Sequence, residues 1–265
     1  MNTLPPIREV SDLVKGVANS VLSSLQGNFG TEVKLDGSLV TMVDHQIQEE
    51  IQGQLKRNWP QFGFVGEEME HHEQVLVTQL ASDGYWILDP LDGTTNFTSG
   101  FLFYGVSLAL VVDGSPRLAV IYDPIRNECF SAREGGGAYL SGIVLKPRQY
   151  SSLGECIANV DYKRLVGDLA AQLVRCPPYR SQRNLGSSVL EWSWLAAGRF
   201  QLYLHGGQKL WDFCAGYLIL KEAGGSAKSL RGEPIDCGSL RKSSVVAAGN
   251  TQLLSQWGEW IRMNS

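Results

Sequence analysis

Two aspartates that stand three residues apart are the residues of this sequence best suited to chemistry. An apolar run over 85–88 predicts a buried strand, and Asp89-Pro-Leu-Asp-Gly93 follows it directly. Pro90 and Gly93 favour a tight reversal that brings Asp89 and Asp92 to one side of the turn. Clustered carboxylates repel each other unless cations lie between them, and hard oxygen ligands suit Mg²⁺. The segment therefore indicates a magnesium site, although its spacing alone is also typical of a solvated turn or a calcium loop.

An anion site is predicted next to these carboxylates. Thr94 and Thr95 come directly after Gly93, where a helix can begin. The free N–H groups and the positive dipole end of such a helix attract an anion. A phosphate group therefore fits beside the metal ions.

Four blocks of the sequence, taken together, resemble the inositol monophosphatase superfamily. Asp89-Pro-Leu-Asp-Gly-Thr-Thr-Asn-Phe97 resembles its first signature, and residues 210–225, which open on Leu-Trp-Asp, resemble its second. Gly66-Glu67-Glu68 stands in the family's place before the signature strand, and residues 34–44 are similar to the family's N-terminal loop and helix start. Because the blocks come in the family's order and span nearly the whole chain, the protein is identified as a member of this superfamily.

The resemblance implies a site built around two Mg²⁺ ions. Their ligands would be oxygen atoms of Glu67, Asp89, Leu91, Asp92 and Asp212, with Leu91 contributing its backbone carbonyl. Asp89 would bridge the two ions, and Asp36 would support a weaker third. Paired cations neutralise a phosphate, stabilise the leaving oxygen and lower the pKa of an attacking water. The implied activity is hydrolysis of a phosphate monoester, with inhibition by Li⁺ expected.

The resemblance also implies residues that act on the water and the phosphate. Thr94 and Asp44 would orient and deprotonate the attacking water, and Glu67 would join them in the catalytic set through its metal ion. Asp92, Gly93 and Thr94 would contact the phosphorylated end of the substrate, the last two through backbone N–H groups.

The part of the substrate that is not phosphate is expected near Gly186, Ser187, Ser188 and His205. Ser187 and Ser188 precede an apolar helix and can present hydroxyl and N–H groups to a polyol or a ribose. Inositol-type members usually carry a glutamate where His205 stands, and a histidine offers fewer hydrogen-bond acceptors than a carboxylate. His205 therefore predicts weakened discrimination for inositol.

Substrate identity stays open between branches of the superfamily. Thr95-Asn96-Phe97 looks like the inositol and fructose branches, whereas residues 36–41 look more like the bisphosphate nucleotidase and histidinol phosphatase branches. An inositol monophosphatase-like enzyme is favoured, and 3'(2'),5'-bisphosphate nucleotidase, histidinol phosphatase and fructose-1,6-bisphosphatase activities are the alternatives. A non-catalytic regulatory binding protein is an alternative of another class, against which the presence of every implied metal ligand counts.

Apolar periodicity predicts the elements that must position these residues. Helices are expected over 7–25, 41–55, 187–197 and 210–223, and strands over 62–65, 85–88, 106–112, 118–122, 128–133, 156–160, 200–204 and 244–248. Residues 69–84 look like a surface excursion. Near residue 147 the sequence pattern changes to alternating strand and helix. This change predicts an N-terminal α+β lobe over 1–146 and a C-terminal α/β lobe over 147–265. The resemblance implies that they form a layered αβαβα sandwich of the inositol monophosphatase and fructose-1,6-bisphosphatase type, with the site between the lobes.

Composition restricts the class of partner. The 265 residues carry a formal net charge of −4, and no run of Lys and Arg builds a basic face. This argues against nucleic acid and anionic membranes, and no apolar run reaches the length of a membrane span. Five scattered cysteines without a C-x-x-C pair are expected to be reduced packing residues. A cytoplasmic protein acting on a small phosphorylated metabolite is expected, and the family implies a homodimer.

Several other residues that could act in catalysis or binding are more simply explained by ordinary structural roles. His71 and His72 stand on a polar segment and are expected to be solvated, because an oxygen-rich site does not call for imidazole. Trp192 and Trp194 lie in an apolar helix and are expected in the core or at a dimer interface. For Glu68 a ligand role, a contact to a ligand and a solvated position all stay open.

Overall fold

The computed structural model describes residues 3–24, 32–33, 39–147 and 149–265. The predicted metal contact of Asp36 lies outside the described residues. The helices of the described part are α1 (Ile7–Ser23), α2 (Met42–Asn58), α3 (His71–Leu80), α4 (Thr94–Thr98), α5 (Leu169–Arg175), α6 (Ser188–Ala196), α7 (Leu210–Glu222) and α8 (Thr251–Met263). Short 3₁₀ turns occupy Leu153–Glu155 and Tyr162–Arg164.

Two sheets contain most of the strands. In chain order the strands are β1 (Glu32–Val33), β2 (Leu39–Val40), β3 (Gly63–Gly66), β4 (Tyr85–Asp92), β5 (Gly105–Val112), β6 (Ser115–Asp123), β7 (Glu128–Arg133), β8 (Gly137–Leu140), β9 (Ile143–Val144), β10 (Ile157–Asp161), β11 (Ser181–Arg183), β12 (Leu202–Gln208), β13 (Ser226–Lys228) and β14 (Ser243–Ala248). β3 to β9 form a seven-stranded sheet in that order, with β3 parallel to β4 and the later pairs antiparallel. The other sheet has the order β11-β10-β12-β14-β13, and β10 is parallel to both of its neighbours.

The seven-stranded sheet separates two groups of helices. Along β4, Trp86 and Leu88 belong to the apolar cluster that includes α1 and α2, whereas Ile87 belongs to the cluster that includes α6 and α7. This alternation is what a strand buried on both faces requires. α1 and α2 contribute residues such as Val14 and Ile47, which are fully buried. Both faces of this sheet are therefore covered by helices.

The helix pair α6 and α7 forms the middle layer of the protein. Trp192 of α6 shares one apolar cluster with Ile121 of the seven-stranded sheet and with Tyr203 of the five-stranded sheet. A separate cluster on the five-stranded sheet includes Leu173 of α5 and Trp257 of α8. The layers therefore follow the order helix, sheet, helix, sheet, helix, which confirms the predicted αβαβα fold class.

The sequence periodicity misses several elements. Residues 69–84, expected as a surface excursion, contain α3, in which Gln74 is the buried residue and donates its amide to the Gly66 carbonyl at 2.8 Å. The periodicity also misses α8 and the strands β8, β9, β11 and β13, which at two to four residues offer too few alternations to form a pattern. β4 continues to Asp92, beyond the expected end at 88, because its later residues still pair with β5.

Other expectations meet mixed outcomes. Trp192 is fully buried, as expected for a core residue. All five cysteines are free thiols, of which four are buried, so the packing role fails for the exposed Cys176. No helix in the described ranges is both long and apolar enough to cross a bilayer. The boundary between lobes at 146 and 147 stays a prediction.

We expect Gly216→Ala in α7 to destabilise the protein, because a Cβ there would lie 2.2 Å from the Cβ of the buried Trp192. Overpacking of this kind lowers the free energy of unfolding by about 1–3 kcal/mol. Gly16→Ala in the middle of α1 is the matched control, since its Cβ would have nothing within 4 Å. Thermal denaturation should show a lower Tm for Gly216→Ala and an equal or higher Tm for Gly16→Ala; equal stability of the two variants would contradict this packing.

Candidate active site

The carboxylates predicted to bind metal lie together at the end of β4. The pairing of β4 with β5 is regular up to Asp89 opposite Ser107, then shifts, and resumes with Asp92 opposite Gly105. Pro90, which lies in the shifted stretch, has no N–H to give to the ladder. Asp89, Asp92 and Asp212 each offer a carboxylate oxygen, and these oxygens all lie within 4.8 Å of one another.

The first turns of α6 and α7 hold two of these carboxylates. Asp212 lies in the first turn of α7, and its Oδ2 accepts a hydrogen bond from the Lys209 N–H at 2.8 Å. The Oδ2 of Asp92 accepts two bonds of 2.8 Å, from the Ser187 hydroxyl and from the Val189 N–H at the start of α6. Helix N-termini favour nearby negative charge, so both positions suit a carboxylate.

The environment of Asp89 differs from that of Asp92 and Asp212. It is fully buried, and neither of its oxygens has a hydrogen-bond partner among the described residues. Burial, and after it the charges of Glu67, Asp92 and Asp212, raise the pKa of Asp89 well above its ordinary value. A buried carboxylate is costly without compensation, and a divalent cation bound by several carboxylates supplies it. The donor set therefore fits Mg²⁺, a hard cation with oxygen ligands.

The same causes act on the other two aspartates. Burial raises the pKa of Asp92 to about 6, against the opposing hydrogen bonds from Val189 and Ser187. Burial, followed by the charges of Asp92 and Glu67, raises the pKa of Asp212 well above its ordinary value. The whole cluster is therefore electrostatically strained in the absence of a counter-charge.

Glu67 and Leu91 reach the cluster from neighbouring strands. Glu67 follows β3 directly, and its N–H donates to the Leu88 carbonyl at 3.1 Å, which continues the parallel pairing with β4. Its Oε1 lies 3.9 Å from the Lys209 Nζ. The Leu91 carbonyl accepts a hydrogen bond from the Thr94 hydroxyl at 3.1 Å. The structure thus brings together all five predicted metal ligands; their roles stay predictions.

Asp44 and Thr94 lie within reach of each other, although 50 residues separate them in the chain. The Thr94 hydroxyl is 3.4 Å from the Asp44 Oδ1, and the Asp44 Oδ2 accepts from the Thr41 N–H and hydroxyl at the start of α2. Asp44 is buried, and burial raises its pKa. The pair can therefore hold and pass a proton at the edge of the carboxylate cluster.

The predicted helix after Gly93 is the five-residue α4. Gly93 has a φ of +92°, a conformation that favours glycine, and a Cβ there would lie 3.0 Å from the Phe103 carbonyl. Asn96 has no predicted role at the site. Its side-chain amide donates to the carbonyls of Phe103 and Leu185 at 2.8 Å each. The end of the first signature therefore fixes the loop before α6, where substrate contacts are predicted.

One residue of the loop before α6, Ser187, does not have the substrate contact expected from the sequence. Gly186 and Ser188 line the cavity beside the carboxylates. Ser187 is fully buried, and its hydroxyl donates to Asp92, so its geometry suits holding a carboxylate and not contacting a polyol. Glu191, which sequence reasoning missed, accepts from the N–H groups of Leu185 and Gly186 at 3.0 Å. Its burial raises its pKa to about 7.

His205 lines the cavity but has no nitrogen free to accept a bond from a substrate. Its Nδ1 accepts from the Gly207 N–H at 3.1 Å, which leaves the proton of the neutral ring on Nε2. Nε2 lies 3.2 Å from the Asp161 Oδ2, to which it donates. Burial lowers the pKa of His205. A glutamate in its place would put a second carboxylate against Asp161.

A cavity of about 480 Å³ joins these groups. Its lining includes most of the predicted residues, together with four cations that sequence reasoning missed: Lys163, Arg164, Lys209 and Lys242. A cavity of this size accommodates a small metabolite and not only a phosphate.

Comparison with known proteins identifies the family to which this chain belongs. A family model described as the inositol monophosphatase family matches residues 5–260. The chain belongs to this family.

Three relatives illustrate the range of similarity. The chain is 34% identical to inositol monophosphatase 1 of Solanum lycopersicum over 233 residues, which cover 85% of this chain and 83% of that protein. It is 34% identical to the Nus factor SuhB of Xylella fastidiosa over 197 residues, which cover 72% and 68%. A solved structure of an IMPase/NADP phosphatase complexed with Mg²⁺ and phosphate matches with a TM-score of 0.84 at 26% identity, covering 95% of this chain and 93% of that one.

The residues with plainer interpretations lie apart from this family site. His71 and His72 are exposed on α3. His71 does not line the 480 Å³ cavity but borders a second hollow of about 240 Å³, whose lining also includes Glu67 and Lys209. The Glu68 N–H donates to the Gln48 side chain at 3.1 Å, and Glu68 does not line the 480 Å³ cavity.

We expect Asp89→Asn to stabilise the protein when metal is chelated, because it removes a buried charge for which the described part of the chain offers no hydrogen-bond donor. Because the pKa of Asp89 is raised, its carboxyl is protonated at acidic pH and does not lower the free energy of unfolding there. As pH rises through the raised pKa, the carboxyl ionises and destabilises the fold. Thermal denaturation in EDTA at pH 7.5 should show a gain of roughly 1–3 kcal/mol that shrinks toward pH 4. Asp83→Asn, at an exposed position, is the control and should change nothing. A loss of stability in Asp89→Asn would mean that the carboxylate is compensated within the protein.

Proposed function

We propose that this chain is a Mg²⁺-dependent phosphatase of small phosphate monoesters, with inositol 1-phosphate as its reference substrate. The observation that carries the proposal is the cluster of Asp89, Asp92 and Asp212, in which the buried oxygens of Asp89 have no partner among the described residues. Membership of the inositol monophosphatase family supports it, as does the likeness to an IMPase/NADP phosphatase complexed with Mg²⁺ and phosphate.

The carboxylate cluster would hold the metal ions. Glu67, Asp89 and the Leu91 carbonyl would bind one Mg²⁺, and Asp89, Asp92 and Asp212 a second. Bound Mg²⁺ supplies positive charge that offsets the charge of the phosphate and makes a water more acidic. The hydrogen bonds from α6 and α7 keep Asp92 and Asp212 in place without satisfying all of their acceptor sites.

Thr94 and Asp44 would take the proton of the attacking water. The Thr94 hydroxyl would accept a hydrogen bond from the water and turn its single proton from the Leu91 carbonyl toward Asp44, whose Oδ1 is 3.4 Å away. Asp44 Oδ2 stays bound to Thr41, so Oδ1 is the oxygen available for this proton. Backbone N–H groups of α4 would contact the phosphate. Inhibition by Li⁺ and a homodimeric state belong to the same proposal.

A regulatory binding role is a second candidate. The 34% identity to the Nus factor SuhB of Xylella fastidiosa favours it, because that relative is named for a different role. The complete carboxylate set favours catalysis, and the two roles do not exclude each other. Phosphate release from inositol 1-phosphate with Mg²⁺ separates them: an undetectable rate would leave the binding role as the better account.

We expect phosphate release to require Mg²⁺ and to stop in excess EDTA. Asp92→Asn and Asp212→Asn keep the side-chain size but remove a ligand charge, and should lower kcat by about 10³-fold or more. The control is His71→Ala, which alters an exposed side chain outside the 480 Å³ cavity and should be nearly silent. Full activity in EDTA, or an equal loss of kcat in His71→Ala, would contradict the assignment of the metal site.

The role of the Thr94 hydroxyl is tested by two substitutions of opposite chemistry. Thr94→Val keeps the shape but removes the hydroxyl, and should lower kcat by about 10²–10⁴-fold while KM changes little. Thr94→Ser keeps the hydroxyl and should retain most of the activity. Equal activity in the two variants would show that the proton leaves the water by another route.

A further inference from the structure

The wall of the cavity that carries His205 is built from a short turn that presents two consecutive cations. This turn, Tyr162–Arg164, follows β10 and begins at Asp161, whose Oδ1 accepts the Lys163 N–H at 3.0 Å. Lys163 and Arg164 both line the cavity. Both cations are 48 or more residues away from the predicted metal ligands in sequence, and neither lies in the two family signatures.

The backbone of the turn is fixed against β12. A Cβ on Gly206 would lie 1.7 Å from the Arg164 carbonyl oxygen, so the close approach of the turn to the strand requires glycine at this position. Asp161 and His205 are paired neighbours in the parallel register of β10 and β12. The two cations are therefore held beside the cavity by backbone packing as well as by charge.

The charge that this wall presents to the cavity is positive. Asp161 is only 7% exposed, and its carboxylate accepts from Lys163, Arg164 and His205. Arg164 contacts it through Nη1 at 2.7 Å, and its side chain remains 56% exposed. Among the described residues no acceptor contacts its Nε or Nη2, or the Lys163 ammonium. A guanidinium edge with two available N–H groups suits a planar or tetrahedral oxyanion.

We propose that Lys163 and Arg164 form a subsite for a second anionic group of the substrate, so that this site takes phosphate esters that also carry a phosphate or a carboxylate. The inference rests on the proposed phosphatase function and names its substrate class. A neutral polyol would need acceptors for its hydroxyl protons on this wall. The neutral His205 offers none, since one nitrogen accepts from Gly207 and the other donates to Asp161.

The test compares two pairs of esters, each differing by one anionic group: inositol 1-phosphate with inositol 1,4-bisphosphate, and glycerol 2-phosphate with 2-phosphoglycerate. The protein variant is Lys163→Gln/Arg164→Gln. Its matched control is Lys56→Gln/Arg57→Gln, which removes the same charge from an exposed Lys-Arg pair at the end of α2. Arg164→Lys, which keeps the charge but loses the guanidinium edge, guards against a loss that reflects misfolding.

For the double-anion esters we expect a KM about tenfold below that of their partners, and a rise of about tenfold in Lys163→Gln/Arg164→Gln with kcat little changed. The single-anion esters should stay within about twofold, Arg164→Lys should be intermediate, and the α2 control should match the wild type. A gain confined to the bisphosphate assigns the subsite to phosphate, and one confined to 2-phosphoglycerate assigns it to carboxylate.

Equal KM within both ester pairs, or the same rise in the α2 control, would overturn the subsite. Failure of the proposed function looks different, because then the wild type releases no phosphate from any of the four esters. In that case calorimetric titration of the same esters with Mg²⁺ into the same proteins decides the subsite by itself. Tighter binding of the double-anion esters, lost in Lys163→Gln/Arg164→Gln, would support it, and equal binding would overturn it.

Discussion

Several carboxylates are buried close together at the end of β4, where their mutual repulsion has to be compensated. Asp89 is fully buried and lies close to Asp92 and Asp212, so each charge raises the cost of the others. Hydrogen bonds from the first turns of α6 and α7 offset part of that cost for Asp92 and Asp212. Asp89 receives no such bond among the described residues, and under the proposed function a bound cation would compensate its charge.

The middle layer of helices sets the geometry of this cluster. Asp212 lies one turn before Gly216 on α7, and Gly216 allows α7 to approach Trp192 of α6 closely. α6 in turn holds Asp92 through Ser187 and Val189. The distance between the two helices is thus also the distance that sets Asp212 relative to Asp92. Core packing and the geometry of the carboxylate cluster therefore depend on the same contact between α6 and α7.

The sequence predicted the parts of the site that are local in the chain. Asp89 and Asp92 follow a strand whose apolar run is plain, and the resemblance to the family placed Glu67 and Asp212 beside them. Groups whose partners are distant in sequence were missed or given another role, as with Ser187, which holds Asp92 across 95 residues. Glu191 carried a usable signal, because it is the one charged residue in the apolar helix α6.

Of the cavity wall formed by β10, β12 and the turn after β10, the sequence predicted only His205, because the chemistry of the rest depends on the register between two strands. Asp161 and His205 are 44 residues apart, and only the parallel pairing of β10 with β12 makes them neighbours. That pairing gives the Nε2 proton of His205 an acceptor, and it gives the Asp161 carboxylate one of its donors. Under the proposed function the carboxylates would hold the metal ions, and the cations of the turn would meet the rest of the substrate. In that proposal, selectivity among substrates that share the metal chemistry arises from β12 and from the turn that follows β10 in the five-stranded sheet.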